Sequence, residues 1–288
     1  MQKRVVAIHD ISCFGRCSLT VALPVLSAAG IETSIIPTAV LSTHTGGFTG
    51  FTYRDLTDDI LPIANHWKTI DIGFNAIYTG YLGSFEQLDI IAKVFDLYEN
   101  EGTLKFVDPV MADHGKLYST FSPDFPKGMA KLCAKADVIV PNMTEAVLML
   151  NEEYIKGPYT KEYIEHLLVK LGELGPERVV LTGVYFDESQ IGAATYDKKT
   201  KEINYIFHDK IPGSYHGTGD VFGSYLLGAL LNGFDLNKAT EIAVNFTTQA
   251  IQRTYEAKTD NRFGVNFEYS LGDFAKLMNP SKSDENEK

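Results

Sequence analysis

Val5-Val6-Ala7-Ile8-His9 is a continuous apolar run, the pattern of a strand buried on both faces of a parallel sheet. Behind it, residues 19–29 read as a helix that stops at Gly30, a C-terminal signal. The alternation then repeats. Strands are expected at 33–41, 76–81, 104–107, 138–140 and 178–181. Helices are expected at 53–67, with Asp55, Asp58 and Asp59 near its start, and at 85–98, opened by Ser84 with Gln87 three residues on. Further helices fall at 124–134, at 144–150 with Thr144 as cap, and at 161–171. The pattern changes at 190–196 and 202–208, two strand-like runs joined by a polar turn, which predicts a hairpin. Helices resume at 221–231 and 238–254. Strand–helix alternation of this kind implies an α/β three-layer sandwich: a mostly parallel central sheet, helices on both faces, and an antiparallel edge hairpin. One domain is expected over 1–278, followed by a polar, disordered tail at 279–288.

Composition narrows the function classes. The chain has 288 residues, 44% of them hydrophobic, enough for a globular core. Its formal net charge of −11 argues against a broad nucleic-acid or anionic-membrane surface. No stretch approaches a membrane span, and the apolar run after Met1-Gln2-Lys3-Arg4 is cut short at His9-Asp10, as in a first strand rather than a signal peptide. Cys13, Cys17 and Cys133 form no CxxC pair, so reduced thiols and a cytoplasmic location are expected, with Cys13 and Cys17 as small apolar fillers.

The chemistry gathers at Ser214-Tyr215-His216-Gly217-Thr218-Gly219-Asp220-Val221-Phe222-Gly223-Ser224. Glycines let backbone N–H groups approach an anion, and a helix opening there adds free N–H groups and partial positive charge. Asp220, in the first turn, is placed to take a proton from an attacking hydroxyl. Taken alone, the segment is equally a loop and helix start capped by Thr218 or Asp220. The glycine spacing is one residue too long for a dinucleotide fingerprint, and no P-loop occurs anywhere.

In an open parallel sheet ligands bind beyond the carboxyl ends of the strands. The residues standing there are Asp10 and Ser12 after the first strand, His44 and Thr45 after the second, and Thr79-Gly80-Tyr81 after the third. Asp108 and Asp113 follow the fourth, Asn142 and Glu145 the fifth, and Thr182 the sixth. Singly, Asn142-x-x-Glu145 is also a helix-start box, and His44 is also a loop histidine. Together, several carboxylates beside an anion hole make sense around Mg²⁺, held directly or through water, in phosphoryl transfer.

Three segments resemble the ribokinase-like superfamily: Gly217-Thr218-Gly219-Asp220, Asp108-Pro109-Val110-Met111-Ala112-Asp113, and Pro141-Asn142-x-x-Glu145. Within it, Thr43-His44-Thr45-Gly46 and Thr79-Gly80-Tyr81-Leu82-Gly83-Ser84 look like the pyridoxal kinase branch, and the similarity runs from about residue 5 to about 254. The resemblance implies ATP-dependent phosphorylation of the 5′-hydroxymethyl group of pyridoxal, pyridoxine or pyridoxamine. Asp220 would be the base, and Gly217, Thr218 and Gly219 the anion hole. Asp108 and Glu145 would lie around Mg²⁺, and Asp113, Asn142 and Thr182 around the triphosphate. Asp10, Ser12, His44, Thr45 and Tyr81 would hold the vitamer, Tyr81 by stacking on its ring. A homodimer using a monovalent cation (K⁺ or Na⁺) is also implied. Many pyridoxal kinases carry a serine where Asp10 stands. A carboxylate there prefers a protonated or cationic partner, which biases the pocket toward pyridoxamine or pyridoxine. Lids over ATP are expected at 112–126 and 209–215.

Overall fold

The structure is a computed structural model that describes residues 2–99 and 102–279. Its centre is a nine-stranded sheet in the order β11-β10-β9-β8-β5-β4-β1-β2-β3. The parallel part comprises β1 (Arg4–Ser12), β2 (Glu32–Leu41), β4 (Ala76–Thr79), β5 (Leu104–Val107), β8 (Val138–Ile139) and β9 (Arg178–Val184). The hairpin β10 (Gln190–Asp197) and β11 (Glu202–Asp209) closes one edge antiparallel to β9. The expected α/β sandwich and its edge hairpin are both present.

Residues 5–9 of β1 are fully buried, as their unbroken apolar pattern requires. Alternate side chains of the strand enter two different cores. Val6 and Ile8 pack with α2 (Thr57–Thr69), α3 (Phe85–Leu97), α4 (Phe125–Cys133), α5 (Met143–Leu150) and α6 (Lys161–Leu174). Val5 faces α1 (Leu19–Ala28), α7 (Thr218–Leu231), α8 (Leu236–Glu256) and α9 (Leu271–Met278). The sheet is therefore covered on both faces. Its strand order reverses at β1, which lies between β4 and β2. That reversal opens a crevice at the carboxyl ends of β1 and β4, where ligands settle in open α/β sheets.

Two local readings are corrected. The helix expected over 53–67 begins only at Thr57, because residues 53–55 form a second antiparallel edge strand, β3 (Tyr53–Asp55), on β2. There, ladder pairing satisfies the backbone, and the Asp55 carboxylate accepts the Thr57 N–H at 2.7 Å. The cap of α5 is Asn142, not Thr144. The Thr144 hydroxyl instead accepts the Gly115 N–H at 2.9 Å. That bond pins the small hairpin of β6 (Ala112–Asp113) and β7 (Lys116–Leu117), which occupies the start of the first expected lid. Ser84 caps α3 as expected, accepting the Gln87 N–H. Cys17 is a buried filler, but Cys13 is exposed. Asn279 closes α9, and the rest of the expected tail lies outside the described residues.

Candidate active site

The mouth of α7 faces the crevice beyond β1 and β4. Neither Thr218 nor Asp220 caps this helix. Its N-cap is Gly217, in the left-handed region at φ 75°, with no side-chain cap. A Cβ on Gly217 would stand 2.0 Å from the Arg16 carbonyl oxygen, so only glycine fits the conformation and the contact together. The Thr218 hydroxyl donates back to the Tyr215 carbonyl at 3.3 Å. The first intrahelical bond of α7 here is donated by the Val221 N–H, which leaves the N–H groups of Thr218, Gly219 and Asp220 at the helix mouth without helical acceptors. The Gly219 position has room: a Cβ there would meet only Asp108 Oδ2, at 3.8 Å.

Carboxylates surround this mouth. The Asp220 side chain is 16% exposed. Burial raises its pKa to about 7; the facing Ser18 N–H lowers it in part, and the charge of Asp10 adds to the rise. Asp10, at the end of β1, accepts hydrogen bonds from the Ser18 hydroxyl at 2.5 Å and the Ser12 hydroxyl at 2.8 Å. Burial raises its pKa, and those bonds oppose the rise. Ser18 thus faces both acids, and it holds a left-handed φ of 50° to do so. Asp108, directly after β5, is buried and makes no hydrogen bond through its carboxylate among the described residues. Burial, then Glu145, then Asp220, push its pKa well above the ordinary range.

Glu145 is more firmly tied. It forms a capping box with Asn142: its carboxylate accepts the Asn142 N–H at 2.9 Å, while the Asn142 side chain accepts the Glu145 N–H at 2.9 Å. It also accepts the Met111 N–H at 3.1 Å, and Asn142 donates to the Ala112 carbonyl at 2.8 Å. The helix-start reading of Asn142-x-x-Glu145 is therefore present in the fold, and the box clamps the segment that follows Asp108. Burial pushes the Glu145 pKa to about 8 against these backbone bonds.

Other expected residues stand farther out. Asp113 is exposed on β6 and accepts the His114 N–H. Thr182 bridges to Asn142 through its backbone. His44 Nδ1 accepts the Gly46 N–H at 3.1 Å, so its proton sits on Nε2, which donates to the Arg262 carbonyl at 2.6 Å. Both ring nitrogens of His44 thus hold its own loop in place, and Thr45 is exposed. Tyr81 leans on Phe121, with ring centroids 5.6 Å apart. The sequence reading missed His9, Ser18 and His216. His9 was hidden as the last residue of an apolar run, and His216 packs beside His44 at 5.3 Å. A separate concavity, lined by Lys105, Asp137 and Arg178, opens at the amino-terminal edge of the strands, away from all these groups.

Among the described residues, no group of three or more His, Cys, Asp or Glu side chains is arranged to hold a metal ion by itself. The donor set still suits a divalent cation that brings further oxygens with a nucleotide. Among the described residues Asp108 is a buried carboxyl that makes no side-chain hydrogen bond, and burial with Glu145 beside it disfavours its ionisation, which a bound cation would reverse.

Buried acids make a pH prediction. A carboxyl whose folded pKa exceeds its unfolded value binds more protons when folded, so stability falls as pH rises between the two values. For Asp220 and Glu145 these windows run from the ordinary 3.8 and 4.5 up to about 7 and about 8. His9, lowered to about 3 by burial, acts in the opposite sense, but only below its ordinary 6.5. Between pH 6.5 and 8 the acids prevail. The urea midpoint of the ligand-free, metal-free protein is expected to be lower at pH 8 than at pH 6.5; a rise would contradict the burial of these charges.

The fold and the acid-lined helix mouth define a small-molecule kinase, a phosphotransferase with an alcohol acceptor. The signature of the phosphomethylpyrimidine kinase family matches residues 23–264, and the chain belongs to that family. A Bacteroides thetaiotaomicron protein named after phosphomethylpyrimidine kinase, crystallised with pyridoxal, is 38% identical with a TM-score of 0.91, over 95% of this chain and 96% of that one. Pyridoxal kinase of Lactobacillus plantarum is 31% identical with a TM-score of 0.88, over 96% and 98%. Pyridoxal kinase of Dictyostelium discoideum is 26% identical over 90% of this chain and 88% of its own. These relatives place the chain with the pyridoxal kinase branch of the ribokinase-like superfamily.

Proposed function

We propose that the protein transfers the γ-phosphoryl group of ATP to the 5′-hydroxymethyl group of a vitamin B6 vitamer, a salvage step toward pyridoxal phosphate. The observation that carries this reading is Asp220, a mostly buried carboxyl with a pKa near 7, in the first turn of a helix whose free N–H groups face the same crevice. Near neutral pH it is poised to accept a proton. The acceptor hydroxyl attacks the γ-phosphorus, its proton passes to Asp220, and the bond to the ADP oxygen breaks. The N–H groups of Thr218, Gly219 and Asp220 take up charge on the transferring group, with Gly217 fixing the turn. Asp108 and Glu145 would hold the Mg²⁺ that accompanies ATP, directly or through water, and the ion would supply neutralising charge for the phosphates. Asp113, Asn142 and Thr182 line the side where the triphosphate would lie. Asp10, Ser12, His44, Thr45 and Tyr81 lie toward the vitamer side, His44 and Thr45 through their loop. A monovalent cation, a homodimer, a cytoplasmic location and a single kinase domain over 1–278 complete the proposal; among the described residues no helix is long and apolar enough to cross a membrane.

A second reading, phosphorylation of hydroxymethylpyrimidine, draws on a 24% identical relative named hydroxymethylpyrimidine/phosphomethylpyrimidine kinase. A third, non-catalytic vitamin binding, is disfavoured by the presence of both base and anion hole. An ATP-consumption assay over the B6 vitamers, hydroxymethylpyrimidine and simple sugars, with Asp220→Asn as control, separates them. Turnover of a B6 vitamer above all others is expected. Preference for the pyrimidine selects the second reading, and no turnover of any alcohol the third.

Asp10 supplies a specificity prediction. Each of its oxygens accepts one hydroxyl, leaving acceptor capacity for a proton-bearing ligand group. Losing a charge-assisted hydrogen bond costs roughly 1.5–3 kcal/mol. Asp10→Ser is thus expected to shift the ratio of kcat/KM for pyridoxamine over pyridoxal toward pyridoxal by about 10- to 150-fold. An unchanged ratio removes Asp10 from vitamer selection.

A further inference from the structure

His9 is fully buried on β1, and among the described residues neither of its ring nitrogens has a hydrogen-bond partner. Burial lowers its pKa to about 3, so the imidazole is neutral and carries one N–H. It is held tightly in this state. Tyr78 packs edge-on against the ring with centroids 4.3 Å apart. Gly80 lies beneath it, and a Cβ there would fall 2.2 Å from Nδ1. The glycine of the Thr-Gly-Tyr segment is thus required by His9. Nδ1 lies 4.0 Å from Asp220 Oδ1, too far for a hydrogen bond, but a shift of about 1 Å would close it to bonding length.

Unsatisfied polar atoms are rare in buried positions because they lower stability. An aliphatic side chain would suit this core site better, so the imidazole stands here at a cost to the fold. Such local conflicts mark functional positions. We infer that His9 is a positioning residue: in the substrate-loaded site its Nδ1–H donates to Asp220 Oδ1 and leaves Oδ2 aimed at the acceptor hydroxyl. The proton removed from the hydroxyl goes to Oδ2, and His9 keeps its own. The other groups whose charge acts on Asp220 or feels it are Asp10 on β1, Cys17 before α1, Tyr78 on β4, Asp108 after β5 and Tyr118 after β7. Among them, the carboxylates Asp10 and Asp108 both repel Asp220, so a neutral donor can orient Asp220 without abolishing its basicity. The inference rests on Asp220 as the base.

Steady-state kinetics with ATP and pyridoxal, together with urea unfolding, test it on His9→Leu, His9→Gln and Asp220→Asn. His9→Leu is expected to match or exceed the parent urea midpoint while kcat falls about 10- to 100-fold, with both KM values within about twofold. His9→Gln, which keeps an N–H donor, is expected to recover most of kcat. Full kcat in His9→Leu with an inactive Asp220→Asn overturns the His9 inference alone, whereas an active Asp220→Asn overturns the base assignment and His9 with it. Equal kcat losses in both His9 variants with lowered midpoints would make His9 a packing residue. In the unaltered protein, the ring nitrogen resonances of His9 are expected to shift on adding pyridoxal with a non-hydrolysable ATP analogue, and unmoved resonances count against the contact.

Discussion

Asp220→Asn is expected to lower kcat by about 10²- to 10⁴-fold, the span general-base catalysis contributes, while the protein remains folded. Asparagine preserves the size of the side chain and removes its charge. The carboxylate is buried at the mouth of α7, where its own ionisation is disfavoured. Losing that charge relieves a desolvation cost, so the urea midpoint at pH 8 is expected to equal or exceed that of the parent. Loss of rate without loss of stability separates a chemical role from a structural one. In the parent, kcat/KM is expected to fall on the acid side with a midpoint near 7, because the protonated carboxyl accepts nothing. Initial rates at low vitamer concentration across pH 5.5 to 8.5 would check this, and an acid limb near the ordinary 3.8 would contradict the burial of the group.

The two glycines of Gly217-Thr218-Gly219 are expected to fail in different ways. Gly217→Ala forces a side chain into the left-handed region at φ 75° and against the Arg16 carbonyl. Backbone strain of this kind costs about 1–3 kcal/mol before the clash is counted. A lower urea midpoint and a large loss of kcat are expected together. Gly219→Ala meets only Asp108 Oδ2 at van der Waals distance, and alanine suits a helix better than glycine. Its stability is expected to hold or rise while kcat/KM for ATP falls by at least about tenfold, because the methyl group occupies the space where a phosphate must approach the helix N–H groups. Equal stability losses in the two variants would mean that Gly219, like Gly217, serves the fold alone. Full activity in Gly219→Ala would remove the anion hole from this helix mouth.

The parallel sheet was legible because burial on both faces leaves unbroken apolar runs such as residues 5–9. The hairpin edge was legible from its polar turn. Strand β3 was not, since its three exposed residues carry no pattern, and only pairing with β2 makes them a strand. The cap of α5 was misplaced by two residues because Thr144 and Asn142 are both good capping residues. Which of them caps depends on Gly115, a neighbour in space that claims the threonine hydroxyl. Asp10, Asp108 and Asp220 stood out in the sequence because an acid just beyond an apolar strand or at a helix start is conspicuous. His9 was missed because it sits inside the apolar run itself. Its meaning comes from Asp220, which is 4.0 Å away in space and more than two hundred residues on in the chain.

The most direct test is the product formed from ATP, Mg²⁺ and pyridoxine, identified by phosphorus NMR in the parent and in Asp220→Asn. A phosphomonoester on the 5′-hydroxymethyl group, formed with one ADP per ester and reduced at least a hundredfold in rate in Asp220→Asn, is the predicted result. ATP cleaved without an ester, or ester formed at the parental rate by Asp220→Asn, would contradict it.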